Sequence, residues 1–334
     1  MKTLITGANG FIGSAVMRHL LGVGHDIRAV VRPGSDRRNL EGFPVEIVEG
    51  DLNDKVSLEQ AVRGCNAVFH LAADYRLWIP DPDNMYQTNV KGTRELMLTS
   101  AEAGVEKIVY TSSVAVLGLN NDGSPANENT PMAVEDMIGH YKRSKYLAEK
   151  EVIKLVNEHG LPAVIVNPST PLGPRDIRPT PTGNIVVETL NDRMPAYVDT
   201  GLNIVHVDDV AKGHLLAFEK GKIGERYILG GENLSLQAIL GIICELSNKK
   251  PPSIKLPHNL ILPIAWFMER WAVISKKEPR ATVDEIRMSK KHMYFSSDKA
   301  IEELGYQFRP AKEAINDAIE WFIKNGYCKS KLGP

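Results

Sequence analysis

Residues Lys2-Thr3-Leu4-Ile5-Thr6 run straight into Gly7-Ala8-Asn9-Gly10-Phe11-Ile12-Gly13, and no other segment constrains the fold as strongly. The first five residues read as a short buried strand. From Phe11 to Leu21 the apolar residues Phe11, Ile12, Ala15, Val16 and Leu20 recur at helical spacing. Three glycines, spaced Gly-x-x-Gly-x-x-Gly, fill the turn between strand and helix. That spacing suits a bound pyrophosphate. Gly7 permits the tight turn, Gly10 lets the backbone approach the phosphates, and Gly13 brings the helix onto the strand. The helix start then offers unpaired N–H groups and the positive end of its dipole to an anion. A glycine triplet alone also occurs in ordinary strand-to-helix turns; the strand before it and the helix after it favour a dinucleotide site.

The 334 residues suffice for one large α/β domain and a smaller companion. A net charge of −1 gives no sign of a nucleic-acid groove or a polybasic anchor. Cys65, Cys244 and Cys328 are far apart and odd in number. They match neither a metal site nor a disulfide framework, so no metal is expected and a cytoplasmic location is. The first strand reaches the glycine turn too soon for a secretory signal, and no apolar run approaches the roughly twenty residues of a membrane span.

Strand-like and helix-like segments alternate through the first half. Asp26–Arg32 and Val45–Glu49 read as strands, Val56–Arg63 as a helix, Ala67–Leu71 as a strand and Pro82–Ala103 as a helix. Lys107–Ser112 follows as a strand, Gly139–Glu158 as a helix and Ala163–Val166 as a strand. The predicted fold is therefore α/β: a doubly wound parallel sheet of Rossmann type, with a smaller, mostly helical C-terminal unit. The proline-rich stretch from Pro168 to Pro181 reads as an irregular loop at the carboxyl edge of the sheet, where ligands bind in such folds. The chain is expected to return to the sheet at Ile204–Val207 and Arg226–Leu229. This gives a nucleotide domain of residues 1–170 plus about 204–230, and a substrate domain of 171–203 plus about 231–334.

Tyr141-Lys142-Arg143-Ser144-Lys145 is the second constellation. Positions i and i+4 share a helix face, so a phenol and an ammonium would meet there. A nearby positive charge would lower the phenol pKa towards a useful range. Thr111-Ser112-Ser113 ends the preceding strand at the edge carrying the glycine turn, so a hydroxyl there could hold a substrate oxygen while the tyrosine moves the proton.

These segments, together with Asp51-Leu52, His70-Leu71-Ala72-Ala73, Asn89-Val90-Lys91-Gly92-Thr93, Asn167-Pro168 and Val205-His206-Val207-Asp208-Asp209-Val210-Ala211, resemble the extended short-chain dehydrogenase/reductases over essentially the whole chain. Ala73–Trp78, Asn167–Pro174 and Pro179–Gly183 are most similar to the dihydroflavonol-4-reductase-like branch, and within it to bacterial proteins named hopanoid-associated sugar epimerases. The resemblance implies catalytic Ser113, Tyr141 and Lys145, with Ser112 as a neighbour that could take the serine's place. It implies a cofactor site of Gly7, Asn9, Gly10, Phe11, Ile12, Gly13, Asp51, Leu52, Leu71, Ala72, Ala73, Tyr141, Lys145 and Pro168, to which the charge at the end of the second strand adds Arg32. Asn89 would organise nearby backbone, and His206 and Asp209 would be structural. A homodimer through the helices carrying Asn89 and Tyr141 is also implied.

Arg32 ends the second strand where an acidic residue would favour NAD, and Arg37 and Arg38 follow. Guanidinium groups suit a 2′-phosphate, so NADP(H) is favoured, with NAD(H) the alternative through Asp36. The candidate substrate wall is Tyr75, Arg76, Trp78, Ser169, Thr170 and Tyr197. Two reactions fit the same triad: reduction of a carbonyl (or oxidation of an alcohol) on a small or lipid-like substrate, and a sugar epimerase in hopanoid metabolism. Gly201-Leu202-Asn203-Ile204 lacks the arginine that nucleotide-sugar epimerases usually place there, and no Arg-x-Gly-Asp-like segment occurs near 280–288. Both departures argue against a nucleotide-linked sugar. A non-catalytic nucleotide-sensing protein is a third class, disfavoured by the retained triad. Leu260–Ile274, followed by Ser275-Lys276-Lys277, reads first as a buried helix of the second domain; its other reading is an amphipathic surface for a membrane or an apolar substrate.

Overall fold

The computed structural model describes residues 1–79, 81–275, 279 and 282–328. Six strands, β1 (Lys2–Thr6), β2 (Asp26–Val31), β3 (Val45–Glu49), β4 (Ala67–His70), β5 (Lys107–Thr111) and β6 (Ala163–Pro168), lie in one parallel sheet. Three further strands, β7 (Thr170–Leu172), β8 (Ala196–Tyr197) and β9 (Gly201–His206), leave it, and β10 (Arg226–Leu229) returns beside β6. The seven-stranded order is β10-β6-β5-β4-β1-β2-β3, a Rossmann-type doubly wound sheet as predicted. Its order reverses between β1 and β4, which opens the crevice where ligands sit.

Alternate residues of the buried strands feed two cores. Ile5, Phe69, Val109 and Val164 pack on one face with α1 (Phe11–Gly22), while Leu4, Val68, Ile108 and Ile165 pack on the other with α2 (Lys55–Val62). The predicted helix 82–103 is one helical run of three parts: α3 (Asp83–Tyr86), a wider π-type turn at Gln87–Gly92, and α4 (Thr93–Glu102). Together with α5 (His140–His159), α4 covers the α2 face. The Pro168–Pro181 stretch is not wholly irregular, because Thr170–Leu172 forms β7 and Pro181 opens α6 (Pro181–Leu190), capped by the Thr180 hydroxyl. α7 (Val207–Lys220) returns to the α1 face.

One expectation fails here. Residues 204–206 do not rejoin the main sheet, because β10 takes the open edge of β6 through Arg226↔Ile165 pairing. β9 instead centres a second sheet, parallel to β7 and antiparallel to β11 (Glu232–Ser235). α8 (Leu236–Leu246) follows, and its Ile239 and Ile243 share a third core with Val186 of α6. Then come β12 (Ile254–Lys255), α9 (His258–Ser275), α10 (Val283–Met288), β13 (His292–Met293), α11 (Asp298–Leu304) and α12 (Ala311–Lys324). β13 completes the second sheet beside β9, α11 packs on the α1–α7 face, and α12 joins the third core.

Candidate active site

At the β1–α1 turn, space is reserved by missing side chains. Gly7 has φ +74°, and a Cβ there would lie 2.8 Å from the Ala72 nitrogen. A Cβ on Gly13 would lie 2.0 Å from the Gly7 carbonyl oxygen. Gly10 caps α1 without a side chain, and no acidic residue enters the first turn. The bare helix end and the cleared backbone fit the pyrophosphate of a dinucleotide.

The cleft floor is fixed by groups to which the sequence reading gave no role. Thr6 Oγ1 accepts the Leu71 and Ala72 N–H groups, each at 3.2 Å. Its own proton therefore goes to His70 Nδ1, 2.7 Å away, leaving the Nε2 proton for Thr93 Oγ1 at 2.9 Å. Burial, reinforced by the Lys145 charge, pushes the His70 pKa down to about 3, so the ring is neutral. A buried histidine beside two β-branched hydroxyls has no periodic signature; His70 stood in a recognised motif, whereas Thr6 and Thr93 gave no signal.

Just beyond β3, the Asp51 carboxylate accepts the Asn53 N–H at 2.8 Å. Buried Leu52 lies so close to Gly92 that a Cβ there would come within 2.7 Å of the leucine Cβ. Two of the three arginines near β2 are committed: Arg37 to Glu49 and Arg38 to Asp36. The Arg38 hydrogen bonds hold the Asp36 pKa down at about 2. Exposed Arg32 forms no ion pair among the described residues. The Asn9 amide donates to Asp36 O at 3.0 Å, and buried Asn39 donates to Asn9 O at 3.3 Å and Arg175 O at 3.2 Å.

Gly139, with φ +84°, turns the chain into α5, which carries Tyr141 and Lys145. Ser113 lies just beyond β5, where its Oγ accepts the Ala115 N–H at 3.1 Å and keeps its own proton to donate. The structure places Ser113 beside Tyr141 but corrects the expected electrostatics. Burial raises the Tyr141 pKa, and a hydrogen bond with Ser113 opposes that rise only in part. The Lys145 ammonium reaches Thr111 O at 2.8 Å and Tyr110 OH at 3.1 Å, and among the described residues it makes no hydrogen bond to the Tyr141 phenol. Burial lowers the Lys145 pKa to about 8, and Glu149 partly offsets that loss.

Glu149, one turn beyond Lys145 and missed from sequence, anchors this region. Its carboxylate accepts Asn167 Nδ2 at 2.8 Å and Arg226 at 3.1 Å, and Asn167 also donates to Ser113 O at 3.1 Å. The spacing Tyr141, Lys145, Glu149 on one helix face was the available signal. Asn89 organises backbone, as expected: it accepts the Asp74 N–H at 2.7 Å and donates to Asp74 O at 2.8 Å and Ser144 Oγ at 2.9 Å. His206 and Asp209 tie β9 and α7 to the C-terminal segment through Asp317 and Arg309.

The substrate wall is only partly brought together. Tyr75 is exposed, Arg76 is bonded to Asp74 at 2.5 Å, and Trp78 is half-buried. Pro168 ends β6, the Ser169 hydroxyl is buried without a hydrogen-bond partner among the described residues, and Thr170 opens β7. Tyr197 does not line a site. It is 8% exposed and packs with Leu236 and Leu240, because the β8–β12 pair turns it into the second unit. A cavity of about 420 Å³ is lined by Val114 and Lys142, the residues that follow Ser113 and Tyr141 in sequence, and reaches Phe295. A larger one, about 590 Å³, lies outside β10 among Asn127, Glu225 and Glu303, away from these groups.

α9 overturns the buried-helix reading. Among its described side chains only Ala265 and Ala272 are fully covered, while Leu260, Ile264, Phe267 and Trp271 are 53–67% exposed. Lys276 and Lys277, which the sequence reading placed beside this helix, lie outside the described residues. Among the described residues no helix is long and apolar enough to cross a membrane, and no cluster of three His, Cys, Asp or Glu could hold a metal.

A family model described as "NAD dependent epimerase/dehydratase family" matches residues 3–230. The chain belongs to that family. Among its relatives, a Synechocystis protein with the provisional name dihydroflavonol 4-reductase is 45% identical over 331 residues, covering 98% of this chain and 96% of the relative. Sterol demethylase protein B of Methylococcus capsulatus is 34% identical, covering 98% and 99%. The crystal structure of gox2253 superposes with a TM-score of 0.88 at 55% identity, covering 98% of this chain and 99% of that one. The family's members are enzymes of the extended short-chain dehydrogenase/reductase class, and these relatives fit its dihydroflavonol-4-reductase-like branch.

Proposed function

We propose that this enzyme is an NADPH-dependent reductase of a carbonyl on a small or lipid-like substrate, running also towards alcohol oxidation. The observation that carries this reading is the Tyr141 phenol, kept protonated by burial beside the Ser113 hydroxyl, in a chain whose β1–α1 turn clears a glycine cradle. Ser113 would donate a hydrogen bond to the carbonyl oxygen, and Tyr141 would give that oxygen its proton as the alcohol forms. When bound, the nicotinamide supplies the hydride to the carbonyl carbon. The Lys145 charge would stabilise the phenolate left behind, which solvent reprotonates.

Gly7, Asn9, Gly10, Phe11, Ile12 and Gly13 would hold the pyrophosphate, and Asp51 and Leu52 the adenine. Leu71, Ala72, Ala73 and Pro168 would border the nicotinamide half, with Tyr141 and Lys145 at its ribose. The unpaired Arg32 guanidinium supports NADP(H) over NAD(H), since Asp36 is already taken by Arg38. The name of the 34%-identical relative supports a lipid-like substrate. A second reading, epimerisation of a lipid-carried sugar in hopanoid metabolism, uses the same side chains and is favoured by the family's description.

Residues 171–203 and 231–328 would form the substrate unit, and the helical run carrying Asn89 together with α5 a homodimer face, in a cytoplasmic protein. We also read α9 as a peripheral membrane contact: residues 249–291 carry ten Lys and Arg against four Asp and Glu, in a chain with 40 against 41. Failure of the protein to float with phosphatidylglycerol vesicles would remove that contact.

The deciding experiment is to denature fresh protein and identify the nucleotide released, then follow NADPH oxidation with apolar ketones. An empty protein that consumes NADPH is the expected result. Stoichiometric, tightly held NAD with no NADPH turnover would overturn the reductase in favour of the epimerase.

A further inference from the structure

The cavity lined by Val114 and Lys142, next in sequence to Ser113 and Tyr141, has a charge pattern that the reductase reading does not use. Its lining is mixed: Leu117, Met288, Met293 and Phe295 give it apolar wall, and Asn120, Asn121 and Thr130 add polar groups. Two lysines, Lys142 on α5 and Lys291 just after α10, also line it, and no Asp or Glu does. At about 420 Å³ the space suits a small organic ligand. Lys142 follows Tyr141 directly, so the lysine end of the cavity is one residue from the proposed acid.

Two like charges lining one cavity repel each other unless something compensates them. Lys291 is close enough that its charge lowers the Lys142 pKa, after burial, to about 8. Elsewhere in this unit, Lys249 pairs with Asp192 and Lys255 with Asp199. Among the described residues, neither Lys142 nor Lys291 forms a salt bridge.

We propose that this cavity is the substrate pocket and that it selects an apolar molecule bearing an anionic oxygen group, a carboxylate or a phosphate, held between Lys142 and Lys291. This deepens the reductase reading and rests on it for the word substrate; the anion preference itself rests on the cavity. The anion would sit at the lysines, the apolar body against the methionines and Phe295, and the reacting carbon towards Ser113. It also explains the missing nucleotide-sugar arginine near 201–204, because the anion would be met from α5 and the segment after α10.

The test is calorimetric binding of three probes with one decyl chain: decanoate, decyl phosphate and decanol. The parent protein is expected to bind at least one of the two anions about tenfold more tightly than decanol, as a charge-assisted contact provides. Lys142→Met and Lys291→Met should each abolish that preference while leaving decanol binding and NADPH binding unchanged. Lys291 is exposed, so its variant keeps the proposal testable if Lys142→Met fails to fold. Preference for decanoate or for decyl phosphate tells which anion the pocket takes. Equal affinity for all three probes, or an unchanged preference in Lys291→Met, overturns the proposal. No turnover is measured, so failure of the reductase reading would show separately as absent NADPH oxidation.

Discussion

α1 and α9 are both apolar helices of one chain, and they meet opposite surroundings. On α1 the face carrying Gly13, Val16, Met17 and Leu20 is buried to the last atom or nearly so, covered by the sheet and by α7. α9 meets α10, and its fully covered described side chains are Ala265 and Ala272, while the bulkier Leu260, Ile264, Phe267 and Trp271 are exposed. Hydropathy is thus not what separates them. α1 packs because a glycine lets it approach the strand, whereas the described side chains that α9 buries completely are alanines, with Ile261 and Leu262 only half-covered. The nucleotide end is limited by space, and the α9 face by the lack of anything over it.

The sharpest way to break the comparison is at Gly13. A methyl group placed 2.0 Å from a backbone oxygen cannot be absorbed by a rotamer change. Gly13→Ala should cost more than about 3 kcal/mol and abolish NADPH binding, read by chemical unfolding and fluorescence titration. Normal binding would show that the cradle is softer than its geometry. Next in size, Tyr141→Phe changes chemistry within the same crowded end. Turnover should fall about 10²–10⁴-fold with nucleotide affinity preserved, and unchanged turnover would remove the phenol from the mechanism.

How much of this was legible in the sequence follows the same division. The glycine turn was readable because its constraint is local: three positions, one strand, one helix. The place of Gly201–His206 was not, since an apolar run announces a strand but not which sheet has a free edge. The Tyr141–Lys145 spacing gave a shared helix face correctly. Where the ammonium ends, on Thr111 O and Tyr110 OH, depends on β5 and could not be read from α5. Tyr197 failed for a similar reason, because an aromatic side chain looks the same in a core as on a wall.

Buried histidines supply a smaller effect at the crowded end. Burial lowers the His70 pKa to about 3 and the His214 pKa to about 4, from an ordinary 6.5. The folded chain keeps both neutral while the unfolded chain takes up protons below 6.5. Their contribution to stability is therefore intact above that pH and is lost as pH falls. Between pH 7 and pH 5 each should remove about 2 kcal/mol, measured by urea unfolding. A flat profile over that range would mean that neither ring is as enclosed as Thr6, Thr93 and Thr111 make it. The smallest effect belongs to the open face: Phe267→Ser should change stability by less than about 0.5 kcal/mol. A large loss there would show that α9 is covered in solution after all.

The wide turn at Gln87–Gly92 makes the helical rod α3–α4 something counted in whole residues. Its extra residue sets the angular phase between the two halves, so Asn89 can clasp Asp74 and Ser144 while Gly92 still seats on Leu52. Deleting one residue before Asn89 would turn everything downstream by about 100°. Length, and not only composition, is therefore under constraint in this segment: it can exchange many of its side chains, but it has no tolerance for an insertion or a deletion.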